Sequence, residues 1–177
     1  DGVILCNADY FGLFKLPGPS RGWYHFGKTW DFVPEFDPQA EEDNFLECLH
    51  VFQGLIEAGK IRHIGLSNET AWGMNKWLQL AKDYNLPRMV SIQNEYSLLC
   101  RNFEPDLSEI SLSEGCGLLA WSPLTRGILS GKYLNGAKPE GARLTIETRI
   151  EHRVGSQTEA QKNASKDNRQ GPKPGPL

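Results

Sequence analysis

The strongest constraint on the fold is a regular alternation of helical and strand-like apolar patterns in the middle of the chain. Apolar residues recur at helical spacing in residues 40–60, 74–84 and 107–115. Short apolar runs typical of buried strands follow at residues 61–66, 89–93 and 117–121. Because parallel strands must be joined by crossovers, usually helices, this order predicts an α/β fold with parallel strands and flanking helices.

Two architectures fit that alternation, a doubly wound sheet and a β/α barrel. Both place ligands at the carboxyl ends of their parallel strands. No Gly-x-Gly-x-x-Gly motif follows any of the apolar runs, and this favours the barrel. A further strand is predicted at residues 10–16, before a long loop that mixes Pro, Gly and aromatic residues. Long loops after barrel strands often carry function.

Composition argues against several functional classes. A formal net charge of −3 over 177 residues does not suit a nucleic-acid-binding protein. No apolar run approaches the ~20 residues that span a membrane. The four cysteines lack Cys-x-x-Cys spacing, which argues against a zinc site or a redox dithiol and indicates free thiols in a reducing compartment. We therefore expect a protein of the cytoplasm or a plastid, with no metal site.

Polar or aromatic residues stand where each predicted strand ends. Ser67 and Asn68 follow the first run, Gln93 closes the second, and Trp121 closes the third. Amide groups match a carboxamide, and an indole face stacks on a flat ring. The Ser/Gly loop of residues 122–133 adds backbone N–H groups and a lysine, which suit phosphate. These residues together indicate a nicotinamide dinucleotide site, although the segment around Trp121 taken alone also fits a buried strand followed by an ordinary turn.

A purely structural role is also compatible with the positions after the first run. Ser67 or Asn68 could simply cap the helix that follows. Gln93 fits such a role less easily, because a polar residue at the end of an apolar strand is expected to have a buried partner.

Three segments resemble the aldo-keto reductase family. Residues 59–68 resemble the family pattern at the fifth barrel strand, Gln93 matches its sixth, and Trp121-Ser122-Pro123-Leu124 its seventh. Residues 96–99 and 131–143 are similar to the Tas-like branch of the family and to the voltage-gated potassium-channel beta subunits. The resemblance covers residues 9–161 and is most specific in 58–143.

The resemblance implies an α/β fold that is a partial (β/α)8 TIM barrel, about strands 4–7 of 8. It implies residues 1–155 as a partial aldo-keto reductase domain, binding NADP(H) and a small-molecule carbonyl substrate. The polar, Pro/Gly-rich residues 156–177 are expected to be a disordered tail. The cofactor-binding residues that the resemblance implies are Ser67, Asn68, Gln93, Trp121, Ser122, Pro123, Leu124, Thr125, Arg126, Gly127, Lys132 and Arg143.

The family's catalytic set is expected to be incomplete in this chain. That set consists of a tyrosine, a lysine, an aspartate and a histidine. Pro17 stands where the family has the histidine, and Tyr10, Tyr24 and Lys15 do not match the other positions. We therefore assign no catalytic residue and expect a truncated chain without turnover.

An alternative interpretation is a non-catalytic subunit that senses cofactor or binds a partner protein, as the channel beta subunits do. In either case four of eight barrel strands would leave two exposed sheet edges. Unpaired edges invite pairing with another chain, so we expect self-association.

Overall fold

The computed structural model describes residues 11–16, 18–19 and 37–146. In these ranges strands and helices alternate as the sequence predicts. The elements are β1 (Phe11–Lys15), α1 (Pro38–Glu57), β2 (Ile61–Ser67), α2 (Ala71–Asp83), β3 (Met89–Glu95), α3 (Leu107–Glu114) and β4 (Gly117–Trp121). Short 3₁₀ segments at Thr125–Ser130 and Leu134–Gly136 and a helix, α4 (Arg143–Ile146), follow.

The four strands form one parallel sheet in the order β1-β2-β3-β4. Each strand therefore lies beside the next strand along the chain, with a helix in each of the connections described. A doubly wound sheet reverses its strand order at a switch point, whereas a β/α barrel keeps sequential order. The expected partial barrel with flanking helices is confirmed.

Local sequence signals set the ends of the helices. The Asp37 carboxylate accepts hydrogen bonds from the N–H groups of Gln39 and Ala40 at the start of α1. The helix ends at Glu57 with Ala58 as its C-cap, and Gly59 follows with a φ of +68°, which suits the left-handed turn there. At α2 the cap is Thr70, which accepts from the Gly73 N–H at 3.0 Å. The capping alternative for Ser67 and Asn68 is therefore wrong.

The hydrophobic core lies between the helices and one face of the sheet, which we call the outer face. The residues of that face in and beside the core are Phe14, Ile64, Leu66, Met89, Ile92 and Leu118. Helix α1 contributes Phe45 and Leu49, which are almost fully buried. The Phe45 ring stacks on Trp77 of α2 with centroids 4.2 Å apart. Aromatic packing thus joins the two helices over the sheet.

The opposite, inner face of the sheet is the one that would line a barrel. Strand register puts Lys15, Gly65, Ser91 and Gly117 in one layer across it. Lys15 is 5% exposed, and neither its ammonium nor the Ser91 hydroxyl has a hydrogen-bond partner among the described residues. Burial lowers the pKa of Lys15 from 10.5 to about 8, and the nearby Cys116 side chain partly opposes the shift.

The chain divides into two compact units, residues 1–125 and 126–177. The sheet and its three helices belong to the first unit, while α4 belongs to the second. The predicted domain boundary at residue 155 and the disordered tail lie outside the described residues, as do Cys6, Tyr10, Pro17 and Tyr24. The domain boundary, the disordered tail and the expectations for these four residues therefore stay predictions.

Candidate functional site

The carboxyl ends of β2, β3 and β4 bring the predicted strand-end residues to one edge. Ser67 pairs with Gln93 in register, and Trp121 pairs with Glu95, two residues beyond Gln93. Side chains two residues apart share a face of a strand. Ser67, Gln93 and Trp121 therefore lie on the inner face, at the same end of three neighbouring strands.

Asn68 links these three strands by hydrogen bonds. Its backbone N–H donates to the Gln93 carbonyl at 2.9 Å. Its side-chain Oδ1 accepts from Trp121 Nε1 at 2.8 Å, across the intervening strand. Its Nδ2 donates to Ser67 Oγ at 3.3 Å. The residue adopts φ of +53°, a left-handed conformation that asparagine tolerates better than most residues.

Gln93 differs from its expected environment. It does not end the strand, because β3 continues to Glu95, and the side chain is half-buried rather than enclosed. Within the described part of the chain its amide makes no hydrogen bond. No buried partner is found among the described residues, and a half-buried amide can still be satisfied by water. Within those residues the donor and acceptor of Gln93 are unengaged, on the face of the sheet that also carries Trp121.

Sequence reasoning missed the polar support beneath this edge. Asn94, on the outer face beside Gln93, donates from Nδ2 to the backbone carbonyl of Glu69 at 3.1 Å. Glu69 is buried and accepts from the Thr70 N–H at 2.8 Å. The Ser67-to-Thr70 turn is thereby attached to β3. The sequence feature that could have indicated this support is the polar run Ser-Asn-Glu-Thr directly after a predicted strand.

The loop after β4 has a strained backbone. Ser122 and Thr125 have φ of +53° and +47°, and the Thr125 N–H donates to the Ser122 carbonyl at 2.8 Å. Thr125 is buried and its hydroxyl donates to Ser97 Oγ at 3.0 Å. Its neighbour Leu124 is exposed. Thr125 thus anchors the loop through Ser97, a residue that no sequence pattern had indicated.

Arg126, Gly127, Lys132 and Arg143 lie in the second unit. Arg126 and Gly127 continue the left-handed backbone, with φ of +57° and +93°. A Cβ on Gly127 would stand 2.8 Å from Lys132 Nζ, so glycine there leaves room for the lysine. Tyr133, which the sequence had not indicated either, donates to the Arg126 carbonyl at 3.4 Å. Arg143 begins helix α4.

The described residues contain neither a metal site nor a membrane span. In those ranges no three His, Cys, Asp or Glu side chains are grouped so that they could hold a metal ion. None of the helices described is both long and apolar enough to cross a membrane. Cys48, Cys100 and Cys116 are free thiols, and burial raises the pKa of each.

Similarity to known proteins decides the family. The family model described as "Aldo/keto reductase family" matches residues 6–167. The chain belongs to the aldo/keto reductase family. It is 45% identical to "Protein tas" of Escherichia coli over 159 residues, which are 90% of this chain and 45% of that protein. It is 40% identical to the "Putative voltage-gated potassium channel subunit beta" of Schizosaccharomyces pombe over 100 residues, 56% of this chain and 29% of that protein.

Among solved structures, the chain is similar to "ALDO/KETO reductase from brucella melitensis", with a TM-score of 0.49 and 23% identity. The match covers 68% of this chain and 37% of that one. The chain thus spans less than half the length of each of these relatives. The relatives include the "Aldo-keto reductase" of Babesia bovis and the "Uncharacterized oxidoreductase YrpG" of Bacillus subtilis, and the interpretation as a regulatory subunit is not favoured.

Proposed function

We propose that the carboxyl edge of β2, β3 and β4 binds the nicotinamide of NADP(H). One observation carries the proposal: Ser67, Gln93 and Trp121 share the inner face at the same end of three adjacent strands. The Trp121 ring offers a stacking surface of the size of a pyridine ring. The Gln93 amide, which no described residue engages, supplies the donor and acceptor that a carboxamide needs.

The phosphates of the cofactor are proposed to meet Ser122, Pro123 and Leu124 of the first unit. Thr125 is proposed as the anchor of this loop rather than a ligand, because its hydroxyl and N–H are engaged. Arg126, Gly127, Lys132 and Arg143 belong to the second unit. Their role in phosphate binding is proposed from the family resemblance alone, since guanidinium and ammonium groups suit phosphate oxygens.

In the whole protein, this site would serve the reduction of small aldehydes and ketones. The cofactor would supply the hydride. The residues of this chain would hold the ring flat against Trp121 and fix its rotation through Gln93. No residue of this chain is proposed as the proton donor, so the four described strands provide binding and orientation alone.

Titration of the 177-residue chain with NADPH, followed by calorimetry or cofactor fluorescence, tests the proposal. We expect saturable binding that weakens about five- to 150-fold in Gln93→Ala and in Trp121→Ala, since each removes a direct contact of ~1–3 kcal/mol. Gln79→Ala is the matched control, because Gln79 is exposed on α2. Equal affinity in the two site variants and the control would contradict the proposal.

A further inference from the structure

The most specific contact at the edge joins Trp121 to Asn68. The indole N–H donates to Asn68 Oδ1 at 2.8 Å, across 53 residues of sequence and past the whole width of β3. Both side chains are half-buried. The indole has a single donor, so this bond uses the full hydrogen-bonding capacity of the Trp121 side chain.

The backbone of Asn68 holds its side chain in place for that bond. Its φ of +53° turns the chain directly after β2, and its N–H donates to the Gln93 carbonyl. The side-chain amide is also engaged at its other end, where Nδ2 donates to Ser67 Oγ. Oδ1 and Nδ2 of Asn68 therefore each make one hydrogen bond within the protein, whereas the Gln93 amide has no partner among the described residues.

We propose that Asn68 is a positioning residue that fixes the plane of the Trp121 ring, and that its effect on cofactor binding passes through that ring. The inference rests on the proposed function. Without the bond the indole rotates about its side-chain torsions, and the ring must be reordered each time a ligand stacks on it.

A double-mutant cycle separates positioning from direct contact. Asn68→Gly removes the side chain and tolerates the left-handed φ, while Trp121→Phe keeps an aromatic face and removes the donor. We expect each change to weaken NADPH binding about three- to tenfold, as the loss of one neutral hydrogen bond does. The double variant should bind no more weakly than the weaker single variant. If Asn68→Gly weakens binding equally in the Trp121→Phe background, Asn68 contacts the cofactor directly and the proposal is overturned.

A second measurement needs no cofactor. In a chain with ¹⁵N-labelled tryptophan, the Trp121 indole signal is the one that Trp121→Phe removes. We expect Asn68→Gly to shift this signal and speed its hydrogen exchange. Asn68→Asp, which keeps an acceptor oxygen, should restore the protection. The Trp77 signal is the internal control, because its buried N–H has no hydrogen-bond partner.

The two experiments distinguish the two proposals. An unaltered chain that does not bind NADPH would overturn the proposed function, while the indole signal still decides whether Asn68 holds the ring. A Trp121 signal that is unchanged in Asn68→Gly, in a variant whose melting curve stays cooperative, would overturn the positioning role.

Discussion

The two faces of the sheet differ in how well their apolar side chains are buried and their polar groups are paired. The outer face is covered by helices, and its Ile64, Leu66 and Ile92 are at most 1% exposed. The inner face is uneven: Lys15 and Ser91 are buried and have no hydrogen-bond partner in the part of the chain that the structure describes, while Leu119 on β4 is 42% exposed. In a closed barrel the side chains on the inner faces of all strands pack together and fill the interior.

This difference indicates which face of the sheet is stabilised by contacts within the described residues and which face lacks such contacts. Helices α1 and α2 pack on the outer face and bury most of its apolar side chains. Among the described residues, the inner face carries an ammonium and a hydroxyl without hydrogen-bond partners, and exposed apolar area. Each of these costs free energy or invites another surface. We therefore expect the stability of the chain to come mainly from the outer face, and ligand binding and association to involve the inner one.

The largest expected effect is on assembly. Strands β1 and β4 are the two edges of the sheet, and Leu119 adds an exposed apolar side chain to the inner face. We expect the chain, 19.9 kDa as a monomer, to dimerise, to bind a complementary half-barrel or to aggregate. Size-exclusion chromatography with light scattering measures this. Leu119→Lys should reduce association, and a stable monomer of the unaltered chain with a cooperative melt would contradict the prediction.

Turnover should be absent. In the described strands the inner face presents no tyrosine, and its histidine, His63, lies four residues before Ser67, about 13 Å from the edge. General acid catalysis contributes about 10²–10⁴-fold. NADPH oxidation with 4-nitrobenzaldehyde, followed by absorbance, should not exceed the rate without protein. A rate that falls when a tyrosine of this chain is replaced would show the prediction wrong.

Loss of packing should affect the two faces unequally. Phe45→Ala on α1 removes a ring that stacks on Trp77 and is 1% exposed. We expect it to lower the free energy of unfolding by about 3–5 kcal/mol. Leu119→Ala on the inner face should change it by less than about 1 kcal/mol. Urea denaturation of both variants compares the faces, and equal losses would mean that the inner face is as well packed as the outer one.

Removal of the buried ammonium should stabilise the chain. The folded pKa of Lys15 is about 8, below the ordinary value near 10.4 of an unfolded lysine. The unfolded chain therefore holds more protons between these values, and stability rises with pH across that window. Lys15→Met should raise the free energy of unfolding by up to about 3 kcal/mol at pH 7. The gain should shrink to near zero above about pH 10.5.

Urea denaturation from pH 7 to 11 measures that gain, with Lys60→Met at an exposed lysine as the control. A gain that does not depend on pH would mean that better packing, and not relief of a buried charge, is responsible.

The smallest expected effect concerns two helix caps over the outer face. Thr70 caps α2 through its hydroxyl, whereas Asp106 at the start of α3 makes no capping hydrogen bond with its side chain. Thr70→Ala should cost about 1 kcal/mol and Asp106→Ala only a few tenths. Thermal or urea denaturation of the two variants measures both losses of stability. Equal losses would show that the Thr70 hydrogen bond adds no stability.

Local patterns in the sequence determined the elements and the edge on which the site lies. Helical spacing from Phe45 to Ile56 and the apolar runs of the strands are set by neighbours a few residues apart. The structure moves their bounds by only a few residues. Because parallel strands end at a common edge, the positions of Ser67, Gln93 and Trp121 after their runs were enough to place them together.

Only the tertiary structure decided how those residues are used. The bond from Trp121 to Asn68, the anchoring of Thr125 by Ser97 and the burial of Lys15 depend on register between strands distant in sequence. The choice of Thr70 as the cap of α2 depends on where the turn after β2 places each side chain. Spacing along the chain determines on which face of a strand or helix a side chain lies. Hydrogen-bond partners depend on donor–acceptor distances of a few ångströms, which only the packing of the elements determines.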